Sequence, residues 1–292
     1  MPFDALRSAP LALGSSAPVA IFDSGLGGLS VLRAVRTALP DERLIYAADS
    51  LYAPYGERDD DFIADRTLAI GEWLVSQGAK ALVVACNTAT SQSIAQARER
   101  LPIPVIGVEP GIKPASLTSQ TRVVGVLATA VTLRSARFQA LAERHTGDCR
   151  FILQPGHGLV QAVERCDTDS PELIALLRSY LQPMLDANAD TLVLGCTHYP
   201  FLDRAIRAIA GDRLALIDTS VAIARQLERQ LDSFGLRATP AQAPDIELPR
   251  FYSTNDGQAL RQLAASLLGL DVTVEHVVIP SRRTRTLESD PV

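Results

Sequence analysis

Short unbroken apolar runs alternate along this chain with segments whose apolar residues recur at helical spacing, and that alternation leaves few folds open. Residues 19–22, 81–85 and 191–194 carry almost no polar residue. A strand with one face in water alternates apolar and polar side chains; a strand without that alternation is covered on both faces. Further strands are read at 43–48, 104–108, 122–127, 149–153, 214–217, 250–253 and 272–278. Helical spacing follows Gly28 (Leu29, Leu32, Val35, Leu39), spans 60–77 with Gly78 as a stop, resumes near Thr90, and recurs through Leu133, Phe138 and Leu141. It returns over 158–166, 171–188, 221–234 and 258–268. Strand–helix alternation of this kind implies α/β architecture with mostly parallel sheets and helices on both sides. The 292 residues suit one large or two ordinary domains.

Two stretches are alike. Residues 81–88 and 191–198 each run from a buried strand into a cysteine, Cys86 followed by Asn87 and Thr88, and Cys196 followed by Thr197 and His198. Asp23 and Ser24 end a strand 63 residues before Cys86; Ala128 and Thr129 end one 67 residues before Cys196. This predicts two pseudo-equivalent α/β domains facing each other, with the active site in the cleft between them. Carboxyl ends of parallel strands are where such sheets build sites, so each domain would contribute a thiol to one cleft. Opposed acid/base groups can remove a proton from one face of a carbon and return one to the other, which is racemisation or epimerisation. A thiol with an ordinary pKa of about 8.5 serves when nearby donors favour the thiolate. Packing is the ordinary use of a lone free cysteine; it is the reading for Cys149 and Cys166, neither of which lies at a strand's carboxyl end.

Other chemistries fit less well. Gly25, Gly27 and Gly28 follow a strand, but a dinucleotide fingerprint needs its third glycine where Ser30 stands. The glycines instead suit close approach of backbone to a small carboxylate at a helix start. Cys196 and His198 have no second ligand pair nearby, so no metal is expected. Lys80 and Lys113 are the only lysines; Lys113 follows a Pro-Gly turn and reads as a hinge residue, not as a Schiff-base lysine. His145, His157 and His276 read as solvated, loop and structural residues. Glu164 and Arg165 could equally form a solvated helix face.

Charge and composition exclude broad classes. A net charge of −5 disfavours nucleic-acid partners, and no 18-residue apolar run suggests a membrane span. Four cysteines are too few for a disulfide scaffold, so reduced thiols in a cytosolic protein are expected. Residues 1–18 read as a flexible extension; Asp4, Pro10 and Gly14 interrupt any signal-peptide core. The tail 281–292 reads as disordered.

The motifs Ile21 to Gly28, Asp49-Ser50 with Pro54-Tyr55-Gly56, Cys86-Asn87-Thr88-Ala89, and Gly195-Cys196-Thr197-His198-Tyr199-Pro200 resemble the cofactor-independent aspartate/glutamate racemase superfamily, and within it the glutamate racemases. The resemblance implies a first domain of 19–112 completed by 221–280 and a second domain of 113–220. It implies catalytic Cys86 and Cys196, the first taking the α-proton of D-glutamate and the second that of L-glutamate. Asp23 would assist Cys86, with His198 and Glu164 assisting on the other side. Substrate contacts would come from Asp23, Ser24, Asp49, Ser50, Tyr55, Gly56, Asn87, Thr88, Thr129, Thr132, Thr197 and His198. No cofactor is implied. The product would be D-glutamate for peptidoglycan, and a homodimer is left open. Rival readings are an aspartate racemase, a decarboxylase of the superfamily (which would lack one thiol), and a non-catalytic amino-acid-binding module. Without a cofactor, the site must stabilise carbanion character by oriented hydrogen bonds and exclusion of water.

Overall fold

The structure is a computed structural model that describes residues 14–145, 147, 149–239 and 248–281. The readings for 1–13 and 282–292 lie outside the described residues. Two parallel sheets organise the chain. The first contains β1 (Val19–Asp23), β2 (Leu44–Ala48), β3 (Ala81–Val84), β4 (Val105–Gly107), β9 (Arg250–Ser253) and β10 (Val274–His276), in the order β10-β9-β2-β1-β3-β4. The second contains β5 (Val123–Ala128), β6 (Arg150–Pro155), β7 (Thr191–Gly195) and β8 (Ala215–Ile217), in the order β6-β5-β7-β8. The shared pattern is plain: in each, the first strand is flanked by the second on one side and by the third and fourth on the other. By this correspondence β1 matches β5 and β3 matches β7, so Asp23 and Thr129 end equivalent strands, and so do Cys86 and Cys196.

Unbroken apolar strands are explained by helices on both faces. Val19 and Ile21 of β1 join the core under α1 (Leu29–Ala38), α10 (Ser220–Ser233) and α11 (Gln258–Leu268), while Ala20 and Phe22 join that under α2 (Asp60–Ser76) and α3 (Asn87–Arg100). Each fully buried Ile or Phe side chain contributes about 1.5–3 kcal/mol. The second sheet is covered by α7 (Leu159–Glu164), α8 (Pro171–Asp186) and α9 (Asp203–Ala210) on one face. On the other lie α4 (Ile112–Thr118), α5 (Ala130–Arg134) and α6 (Ala136–Glu143). The chain passes to the second lobe between β4 and α4 and returns at α10, which packs on α1.

The structure differs from the sequence reading in places. Helix α3 begins at Asn87 rather than near Thr90, because Cys86 is itself the cap and accepts the Ala89 N–H. The helix read through Leu133 and Leu141 breaks at Ser135, which ends α5 and caps α6 by accepting the Phe138 N–H. Helices α4 and α9 add to the sequence expectation, and Lys113 lies in the first turn of α4 rather than in a hinge loop. Strand β10 covers three residues of the seven expected.

Lys80, just before β3, is fully buried against Glu42 and also donates to the Ser15 carbonyl. Glu42 in turn accepts the Ala238 N–H at 2.8 Å, so one ion pair gathers four segments distant in sequence. Removing one member of a buried pair leaves an uncompensated charge. Lys80→Met is expected to lower the unfolding free energy by about 3–5 kcal/mol, read by urea denaturation, and adding Glu42→Gln should recover most of it.

Candidate active site

The carboxyl end of β1 places Asp23 at the floor of the cleft, fully buried. One carboxylate oxygen accepts the Gly25 N–H at 2.9 Å. The other accepts the Thr197 hydroxyl at 3.0 Å, a bond that crosses from the second lobe. Beneath the glycine loop, the Tyr46 hydroxyl donates to the Gly25 carbonyl at 2.8 Å. Cys86 follows β3 at the head of α3, where its sulfur accepts from the Ser24 hydroxyl and the Ala89 N–H, each at 3.4 Å. Both donors favour a thiolate, as a helix start does.

On the facing lobe Cys196 follows β7, with its sulfur 3.6 Å from His198 Nδ1. The other ring nitrogen, Nε2, lies 2.6 Å from Glu164 Oε1. That same carboxylate oxygen accepts the Leu26 N–H at 2.7 Å, so Glu164 holds the histidine and grips the opposite lobe's glycine loop together. Glu164 therefore turns into the cleft rather than forming a solvated helix face. Thr129 caps α5 by accepting the Thr132 N–H, and its hydroxyl lies 2.9 Å from that of Thr88 across the cleft and 2.9 Å from that of Thr132.

Glycine is required where the lobes meet. A Cβ on Gly25 would stand 1.9 Å from Glu164 Oε1, and one on Gly27 would stand 2.4 Å from the Thr197 hydroxyl oxygen. One on Gly56 would stand 2.9 Å from the Thr129 Cβ.

The two thiols sit in unlike fields. Burial first, then the Asp23 carboxylate, pushes the Cys86 thiol up to about 12, against the Ser24 and Ala89 donors. Cys196 is close enough to add to that shift. Burial also raises Asp23 above the usual carboxylate range, although His198, Gly25 and Thr197 pull the other way. At His198, burial favours the neutral ring, but the hydrogen bonds to Cys196 and Glu164 outweigh it and hold the imidazole proton well above its ordinary pKa.

Asp23, Ser24, Cys86, Asn87, Thr88, Thr129, Thr132, Glu164, Cys196, Thr197 and His198 thus converge. Asn87 brings a buried amide oxygen with no hydrogen-bond partner. Tyr55 and Gly56 lie on the loop that meets Thr129. Asp49 has both its oxygens bound by Arg66, and one also by the Tyr55 hydroxyl, so it stands behind the loop that carries Tyr55. Ser50 lines a cavity of about 270 Å³ that also touches Leu26, Glu164 and Asn255. Cys149 is buried against the Ser116 carbonyl, in keeping with its reading as a packing residue, whereas Cys166, read the same way, is exposed because it falls in the turn just past the end of α7. His276 is exposed on the edge strand β10. Among the described residues, no three or more His, Cys, Asp or Glu side chains are grouped to hold a metal ion. Tyr46 and Arg66 escaped the sequence reading, since an aromatic in an apolar strand and an arginine in a helix carry no local signal.

The close packing at the glycine loop yields a test. Gly25→Ala should keep the helix content by circular dichroism yet lower activity about 10²-fold, the scale of an ångström-sized misplacement of catalytic groups.

The Asp/Glu/Hydantoin racemase family model matches residues 29–227. Glutamate racemase of Ralstonia pickettii (strain 12J) is 61% identical over 255 residues, covering 87% of this chain and 89% of its own. The solved structure of Escherichia coli glutamate racemase in complex with L-glutamate and activator UDP-MurNAc-ala has a TM-score of 0.79 at 31% identity, covering 91% of this chain and 100% of its own. That of Francisella tularensis glutamate racemase in complex with D-glutamate has a TM-score of 0.78 at 28% identity, covering 91% and 98%. With its paired strand–cysteine elements facing one cleft, the chain belongs to the Asp/Glu/hydantoin racemase family, among its glutamate racemases.

Proposed function

We propose that this racemase inverts glutamate by two-base proton transfer, with Cys86 and Cys196 on opposite faces of Cα. The observation that carries the reading is the unequal pair of thiols at equivalent strand ends of facing lobes. Cys86 holds its proton under burial and the Asp23 charge, which suits it to donate. We assign Cys196, whose sulfur lies 3.6 Å from His198 Nδ1, to accept. In the L-to-D direction the Cys196 thiolate takes the α-proton and becomes a thiol. The electron pair left on Cα then takes the proton of the Cys86 thiol on the opposite face. The reverse direction exchanges the roles, with Cys86 removing the α-proton of D-glutamate.

The polar groups around the thiols support the same reading. The unpartnered Asn87 amide oxygen suits the substrate's ammonium group. The hydroxyls of Thr88, Thr129 and Thr132 can donate to carboxylate oxygens without adding a full positive charge. The cleft is tight, and a dry, preorganised site strengthens every such bond as charge develops at Cα. A decarboxylase of the superfamily would lack one of the two thiols, and a passive binding module would need neither. No helix among the described residues is long and apolar enough to cross a membrane. We place the enzyme in the cytosol, where it would supply D-glutamate to peptidoglycan synthesis.

In deuterium oxide with no added cofactor, the enzyme should exchange the α-hydrogen of glutamate during inversion. Cys86→Ser and Cys196→Ser should each lower kcat by about 10²–10⁴-fold, the usual share of a positioned acid or base; full inversion by either variant sinks the two-thiol path. His198→Asn should slow the Cys196 step selectively. Because the enantiomers have equal energy, kcat/KM must fall equally in both directions. The α-deuterium isotope effect should nevertheless grow for L-glutamate and shrink for D-glutamate. Equal changes for the two would remove His198 from the Cys196 side.

A further inference from the structure

We infer that Arg66, which touches neither thiol, is a positioning residue that sets substrate affinity through Asp49 and Tyr55; the inference rests on the racemase reading above. Residues 50–57 form the loop between β2 and α2 and carry Tyr55 and Gly56 to the second lobe. Pro54, Gly56 and Glu57 face Thr129, His157 and Gln161 across a narrow gap, and Glu57 accepts a hydrogen bond from Gln161. This loop is therefore one edge of the substrate cleft, and its place depends on what holds it from behind.

One buried ion pair does so. Arg66 lies in the second turn of α2, with its side chain 1% exposed, and the Asp49 side chain is 0% exposed. The guanidinium meets the carboxylate as a fork: Nε donates to Oδ2 at 2.9 Å and Nη2 to Oδ1 at 2.7 Å. The Tyr55 hydroxyl donates to the same Oδ2 at 2.6 Å. The remaining arm, Nη1, donates to the Ile279 carbonyl beyond β10. The guanidinium carbon stands 4.5 Å from the centre of the Tyr52 ring, so a second aromatic of the loop rests on the same group.

A buried ion pair gains little stability over a well-packed apolar pair, because both charges lose their hydration. What the fork adds is direction. A planar guanidinium fixes the plane of the carboxylate it binds in two places, and an ammonium does not. The carboxylate plane then sets the aim of the Tyr55 phenol, whose proton is committed to Asp49. Guanidinium, carboxylate, phenol and loop thus form one chain of fixed orientations, ending where the lobes meet at Gly56 and Thr129.

The test separates affinity from folding. Arg66→Gln with Asp49→Asn replaces the charged pair by two amides and leaves no lone charge buried. This double variant should raise KM for both enantiomers about tenfold or more while kcat falls less than about threefold, the signature of lost uniform binding. Arg66→Lys keeps the charge without the fork and should give a smaller rise in KM in the same direction. Tyr55→Phe, which leaves the ion pair whole, should raise KM alone, and adding it to the double variant should cost little more. A purely structural role predicts otherwise: the folded fraction, and with it kcat per total protein, would fall at unchanged KM. That result, in the double variant or in Arg66→Lys should the double variant fail to fold, overturns the proposal. Failure of the racemase reading would appear instead in the parent enzyme, as absent α-hydrogen exchange.

Discussion

Two hydrogen bonds across the cleft hold the working parts in place. The Thr197 hydroxyl reaches Asp23, and the Leu26 N–H reaches Glu164. Each joins a loop at a strand end in one lobe to a group from the other. Together they bring the glycine loop so near Glu164, Thr197 and His198 that no side chain fits at Gly25 or Gly27. Both thiols, the histidine and the carboxylates lie within one interacting set because of that approach. It also keeps water out, without which burial could not act so strongly on Cys86, Asp23 and His198.

A racemase needs near-equal competence in both directions, yet its two sides need not be alike at rest. Here one thiol keeps company with a carboxylate and the other with an imidazole that holds its proton. Opposite companions give the two sulfurs chemically different surroundings. The shared cleft brings Cys196 close enough to act on Cys86. The duplicated strand order supplies equivalent places for the sulfurs, while unlike residues at matching positions, Asp23 against Thr129 and His198 against Thr88, make the two places chemically different.

Much of the site was legible along the chain. Unbroken apolar runs marked the strands, and a cysteine beyond each of two such runs marked the thiols. Asp23, His198 and Glu164 were named from motifs, and the structure brings all three to the thiols. Helix α9 was within reach too: Leu202, Ala205, Ile206 and Ile209 repeat at helical spacing and are buried, but the run is short and follows Tyr199-Pro200. The partners of Asp49 were not legible. A carboxylate at a strand end reads as a ligand contact, and nothing near it indicates that an arginine 17 residues later occupies both its oxygens.

The order of strands and helices, the both-sided burial of the sheets and the presence of paired thiols follow from the sequence, because burial periodicity and strand-end position are local properties. Which groups modulate each thiol was decided only in the folded chain. Thr197 meets Asp23 across 174 residues and Glu164 meets Leu26 across 138, and hydrogen bonding and desolvation depend on distances in space that no local pattern encodes.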